Sequence, residues 1–288
     1  MKMMFILMSE CAVDFANFLS TSVSEDENDM DMKDAFTKYT NDLFATCAFG
    51  IKINSMKDPT NKFLAYGKEA TNFFETRPIK FFFLRTFPTL GRILNVKVID
   101  SHVSDFFKDI IRTTIATRDA ENISRPDMIQ LMMDIRGKED LKDFDIDDMI
   151  AQAFAFFFGG FDTSSTAMSF AAHELAVNTD VQIKLRQEID QVLEESNGEV
   201  TYETINRLEY LDLVINEVLR LYPPVAILER ICDTAYELPP ALPGEKPFTM
   251  KKGMNFWVPV LAIHHDAKYY SDPEKFRPER FFREQDVP

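Results

Sequence analysis

A chain of 288 residues that is 45% hydrophobic can bury a large core. Its formal net charge of −15, spread along the chain as on a solvated surface, argues against nucleic acid as a partner, because phosphate binding needs clustered Lys and Arg. Three irregularly spaced cysteines, Cys11, Cys47 and Cys232, do not make a disulfide framework, fit a reducing compartment and lack zinc-ligand spacing, so no metal site is assigned.

The opening residues 3–8 (MMFILM) form too short a run for a signal segment and meet Ser9 and Glu10 at once. No stretch of about 20 consecutive apolar residues follows, so no membrane span is expected, although an anchor upstream of Met1 stays open. Residues 24–31 (SEDENDMD) read as an acidic loop. Residues 32–49 read as a helix with Phe36, Tyr39, Leu43, Phe44 and Cys47 on one face. Asp58, Pro59, Thr60 and Asn61 form a turn. Residues 73–94 are aromatic-rich and broken by Pro78, Pro88 and Gly91. Residues 98–118 predict a long amphipathic helix with Val103, Phe106, Phe107, Ile110 and Ile111 together.

The strongest helix is 145–177. Asp143, Asp145, Asp147 and Asp148 crowd its start, where carboxylates cap free N–H groups and suit the dipole. At about 1.5 Å per residue it runs roughly 50 Å, and its apolar character all round predicts burial. Helices at 181–195 and 208–221 follow, the latter stopped by Pro223 and Pro224. Short strands are expected at 225–228, 236–238 and 255–258, then polar coil to Pro288. The fold class is mainly α with a small β component near the C-terminus, in one domain without a linker.

Two segments carry candidate chemistry. Gly159-Gly160-Phe161-Asp162-Thr163-Ser164 lies inside the long helix, where each glycine costs about 1 kcal/mol relative to Ala. The pair serves either close helix packing or the approach of a ligand to the backbone. Asp162 and Thr163 put a carboxylate and a hydroxyl into apolar surroundings, which favours proton handling. Phe154, Phe156, Phe157, Phe158 and Phe161 serve packing or line a pocket. Downstream, Glu217 and Arg220 share a helix face at i, i+3. An Arg-rich element, Phe276-Arg277-Pro278-Glu279-Arg280-Phe281, can join them in a network.

A Gly-Gly-x-Asp-Thr-Ser helix, then Glu-x-x-Arg-x-x-Pro-Pro, then Pro-Glu-Arg-Phe, in that order, resembles the cytochrome P450 family. Residues 39–50 (YTNDLFATCAFG) and 66–73 (YGKEATNF) resemble insect microsomal members that handle xenobiotics. The resemblance implies an incomplete P450 fold over residues 1–288 and a haem-dependent monooxygenase acting on small apolar substrates. It also implies electrons from NADPH–cytochrome P450 reductase and a place at the cytoplasmic face of the endoplasmic reticulum membrane.

It further implies that helix 145–177 covers the distal haem face, with Gly159 and Gly160 leaving room for dioxygen and substrate. Thr163 with Asp162 would deliver protons, Arg230 would meet a haem propionate, and Glu217, Arg220 and Arg280 would form a structural triad. The family's iron ligand is the Cys of Phe-x-x-Gly-x-Arg-x-Cys-x-Gly. No cysteine here has that context, and the family's Trp-x-x-x-Arg haem contact is absent too. Trp257 is expected to pack in a small strand and Cys232 to be a buried structural thiol. The chain as given is therefore expected not to bind haem normally. The alternatives are a truncated non-catalytic product, or a helical binding protein on a P450-like scaffold. Phe81, Phe82 and Phe83 dip into a membrane surface or belong to the core.

Overall fold

The computed structural model describes residues 2–25, 29–72, 77–138 and 143–282. Part of the acidic stretch (26–28), the start of the aromatic-rich segment (73–76) and the terminal coil from 283 onward lie outside the described residues. The chain divides into two compact units, Met1–Ser169 and Phe170–Pro288. The division falls inside a helix, so no linker in the sequence marks it.

The first unit is helical. Helix α1 (Phe5–Glu25) leads into α2 (Met32–Cys47), whose first turn is capped by Asp31 accepting from the Asp34 N–H. By length and composition, residues Lys2–Ser22 are long and apolar enough to cross a membrane, a candidate that the search for consecutive apolar residues did not pick out. A count of consecutive apolar residues stops at Ser9, whereas the helix carries Glu10 and Asp14 as isolated charges among apolar residues. One face of α1 packs on α2, with the Phe15 ring 4.9 Å from that of Tyr39.

Then come α3 (Lys62–Thr71), α4 (Arg77–Thr86), α5 (Pro88–Ile93), α6 (Ser101–Glu121) and α7 (Met128–Ile135). Pro88 starts α5 rather than breaking a helix, as the first helical position permits. Exposed apolar side chains of α4 and α5 include Ile79, Phe82 and Ile93. Helix α6 buries Val103, Phe107, Ile111 and Ile115 at i, i+4, and Phe106 and Ile110 of the expected face are partly buried against the same core.

Helix α8 (Ile146–Val177) starts at an Asp box. Asp145 accepts from the N–H groups of Asp147 and Asp148, and Asp148 accepts back from that of Asp145. Met149, Ala153, Phe157, Phe161 and Ser165 are buried at intervals of four. Phe157 meets Phe49, Phe63 and Phe107 at ring centroid distances of 5.7, 5.6 and 5.1 Å. The expectation that α8 is buried all round is corrected: Ala155 and Gly159 are exposed, and Phe156 is 59% exposed.

In the second unit, α8 ends and α9 (Thr179–Glu195), α10 (Tyr202–Ile205) and α11 (Glu209–Leu221) follow. Glu188 of α9 caps α11 from outside, accepting the N–H groups of Tyr210 and Leu211 at 2.7 and 3.1 Å. Strands β1 (Leu228–Ile231) and β4 (Asn255–Val258) pair antiparallel, as do β2 (Tyr236–Leu238) and β3 (Phe248–Met250). Strand β1 lies three residues beyond the expected 225–228. Its Leu228 pairs with Val258, and Pro259, without an N–H, cannot carry the ladder further. Helix α12 (Val260–His264) and a 3-10 turn, Pro278–Phe281, complete the unit.

Candidate functional site

The middle of α8 gives its two glycines different surroundings. A Cβ on Gly160 would run into the Phe44 ring of α2, whereas a Cβ on Gly159 would meet nothing within 4 Å. Gly160 thus answers to close helix packing, and Gly159 lies on the exposed side of α8. We expect Gly159→Ala to stabilise the chain by up to about 1 kcal/mol by removing a mid-helix glycine. Gly160→Ala should instead destabilise it by about 1–3 kcal/mol through overpacking. Urea unfolding of the two variants checks the opposite signs.

The Thr163 hydroxyl donates to the carbonyl of Gly159, one turn back on the same side of the helix. Asp162 points elsewhere. Its side chain is 51% exposed and accepts from Lys33 Nζ of α2 at 2.8 Å. The same ammonium reaches Ser165 Oγ at 2.6 Å and Thr166 Oγ1 at 2.8 Å. The expectation of Asp162 as a carboxylate buried in apolar surroundings is therefore corrected: it is half exposed and ion-paired. Lys33 was missed because nothing in its local sequence signals a partner on a distant helix.

Phe157 and Phe161 are in the core, with Phe154 partly buried against it. Phe156, on the exposed side of α8, is the aromatic of this run that packing does not account for.

In the second unit, Glu217, Arg220 and Arg280 form one buried network. Arg220 donates to both Glu217 oxygens, at 2.8 and 2.9 Å, in a bidentate pair. Arg280 Nε donates to Glu217 Oε1 at 3.0 Å, and the Arg277 backbone N–H to the same oxygen at 2.9 Å. Remaining guanidinium donors go to carbonyls. Arg220 serves those of His264 and Lys275, and Arg280 those of Ser271, Asp272 and Lys275. The Arg220 guanidinium also lies over the Tyr270 ring at 5.2 Å. The network thus pins the loop before the Pro278–Phe281 turn onto α11.

Arg230 is exposed on β1 and donates to the carbonyl of its neighbour Glu229 at 2.8 Å. Among the described residues no carboxylate pairs with it. Trp257 stands in β4, opposite Glu229 on β1, and its indole N–H donates to that carboxylate at 3.1 Å. It is 63% exposed, so it lies in the expected strand without being packed.

None of the three cysteines has the surroundings of a metal-binding thiolate. Burial pushes the Cys47 thiol up to about 12, with Cys11 adding to the effect, and burial also raises Cys11. Cys232 is buried, and its thiol donates to the Thr234 carbonyl at 3.0 Å.

Residues 1–287 match the sequence profile of the family described as Cytochrome P450. The chain belongs to the cytochrome P450 family. It is 43% identical to cytochrome P450 9e2 of Blattella germanica over 98% of this chain and 57% of that protein. It is 39% identical to probable cytochrome P450 9f2 of Drosophila melanogaster, over 98% of this chain and 56% of the relative. With probable cytochrome P450 6a21 of the same fly it shares 36% identity, over 99% of this chain and 57% of the relative. The chain thus spans a little over half the length of these curated relatives. Mainly helical architecture with small antiparallel sheets near the C-terminus agrees with an incomplete fold of this family.

Proposed function

We propose that this P450 chain supplies the distal helix and the propionate-side strand of a haem-dependent monooxygenase. The observation that carries the reading is the exposed side of α8, where Gly159 leaves the backbone uncovered and Thr163 stands one turn on. Haem held by a thiolate supplies the chemistry that inserts one oxygen atom from dioxygen into a small apolar substrate. The chain's own contributions are simpler. Gly159 admits a flat ligand close to the helix. The Thr163 hydroxyl can pass a proton there without bringing a charge. Asp162 is turned to Lys33 instead, so its part in proton delivery would run through the solvent side of α8 rather than through a direct contact with Thr163. Arg230, with no carboxylate partner among the described residues, has donors available for a propionate.

Gly159 and Thr163 on α8, and Arg230 on β1, each taken alone, are consistent with that reading, whereas the three cysteines are not consistent with an iron ligand. The thiolate is the form that binds a metal, and partial burial, which raises Cys11 and Cys47, disfavours it. Cys232 is committed to a carbonyl. We accordingly derive no step at the iron from these residues.

Electrons from NADPH–cytochrome P450 reductase are part of the proposal on the strength of family membership. A membrane surface at the endoplasmic reticulum is supported by the apolar length of α1 and by the exposed Ile79, Phe82 and Ile93.

The test is the spectrum of the reduced protein with carbon monoxide. The 288-residue chain supplied with haem is expected to lack the thiolate-type band. The product of the complete transcript is expected to show it, with the frame running into Phe-x-x-Gly-x-Arg-x-Cys-x-Gly. A thiolate band from the 288-residue chain alone would refute the assignment of its cysteines. A stop codon directly after Pro288 would leave the non-catalytic reading.

A further inference from the structure

Helix α11 ends at Leu221 with carbonyls that have no partner in the helix and must find one outside it. His264, the last residue of α12, and His265, its C-cap, take up that role. His264 Nδ1 lies 3.2 Å from the Arg220 carbonyl. His265 Nε2 lies 3.0 Å from the Leu221 carbonyl, and its Nδ1 lies 2.9 Å from Glu274 Oε1. A carbonyl and a carboxylate are both acceptors. A neutral imidazole has one N–H and can satisfy only one of them; the imidazolium has two and satisfies both. A cation at that spot also suits the negative end of the α11 dipole.

We propose that His265 is a proton-operated latch on the C-terminal end of α11. Protonated, it ties Leu221 to Glu274 and holds the 264–277 loop against the helix; deprotonated, it releases one side of that tie. The latch bears on the Glu217 network, because that loop supplies the His264 and Lys275 carbonyls to Arg220 and the Arg277 N–H to Glu217. The charged groups facing the ring are the Glu274 carboxylate and the Arg220 guanidinium. The hydrogen bond to Glu274 and that to Leu221 outweigh the effects of desolvation and Arg220, so His265 is raised above 6.5. With a raised value in the folded state, the stabilisation is fully present below about 6.5 and is lost as pH rises through the folded value. The latch stands on the second unit alone and does not depend on haem.

The experiment follows the His265 imidazole by NMR in the 288-residue chain, together with hydrogen exchange at the Arg277 amide, corrected for the intrinsic rate. His265 is expected to titrate above 6.5. Arg277 protection should fall severalfold through the same titration. Glu274→Ala, at a solvent-exposed side chain, should bring the His265 titration down, and His265→Gln should abolish the step in Arg277 protection. A His265 that titrates at or below 6.5 overturns the proposal. So does a step that survives in His265→Gln, which would assign it to His264.

Discussion

Replacing Glu217 by Ala is expected to destabilise the protein by about 3–5 kcal/mol, the effect of breaking a buried ion pair by removing one partner. The reason is arithmetic of charge. Glu217 is the carboxylate that answers two guanidiniums, Arg220 and Arg280. The side chains of Glu217 and Arg220 are 0% and 1% exposed. Without Glu217, two positive charges face each other out of water, and the Arg277 N–H loses its acceptor. Glu217→Gln should be milder, because the amide oxygen can still accept from Arg277, but it leaves both cations uncompensated. Arg280→Ala should cost less than Glu217→Ala, since the bidentate Arg220 pair survives it. Urea unfolding of the three variants gives the order. Equal and small effects would mean that the network is solvated and that Glu-x-x-Arg here is an ordinary ion pair.

How much of this was legible in the sequence depended on the range of the interaction. The Glu-x-x-Arg pair, the long helix and its Asp-rich start are local, and 3.6-residue periodicity with capping chemistry predicts them directly. The joining of Arg280 was suggested by a second Arg-rich segment, but its geometry depends on a loop that reverses direction. The two glycines of α8 are equivalent in sequence, and only Phe44, on another helix, tells them apart. Asp162 looked buried because its neighbours are apolar, yet the helix turns it toward Lys33.

The apolar face of α2 is only partly buried, and another side of the helix lies deeper. Its buried side is polar: Thr40 and Asn41 are 0% exposed and Asp42 is 3% exposed. There Asp42 accepts the Ser55 N–H at 2.8 Å and the Ser55 hydroxyl at 2.5 Å. Burial raises Asp42, and the hydrogen bonds from Ser55 and Asn41 oppose that rise. Periodicity of apolar residues cannot find a buried face built largely from hydrogen-bonded polar side chains.

Arg118→Ala is expected to be as damaging as any substitution in the first unit, again about 3–5 kcal/mol, although nothing in the local sequence marks the residue. Arg118 and Asp127 are 4% and 0% exposed. The guanidinium donates to Asp127 Oδ1 at 2.8 Å and to Oδ2 at 2.5 Å. Asp127 also caps α7, accepting the Gln130 N–H at 3.0 Å, a role worth about 1 kcal/mol by itself. Arg118→Ala would leave that carboxylate buried with Arg125, at 3.7 Å, as a weaker partner. The pair also fixes the backbone after α2. Gly50 has φ +69, a left-handed conformation, and a Cβ there would run into the Arg118 guanidinium. Gly50→Ala should therefore be destabilising in the native protein and less so once Arg118 is already Ala. A double-mutant cycle measures that difference as a coupling energy. Strict additivity would show that Gly50 is required by its backbone conformation alone, and that the arginine does not press on it.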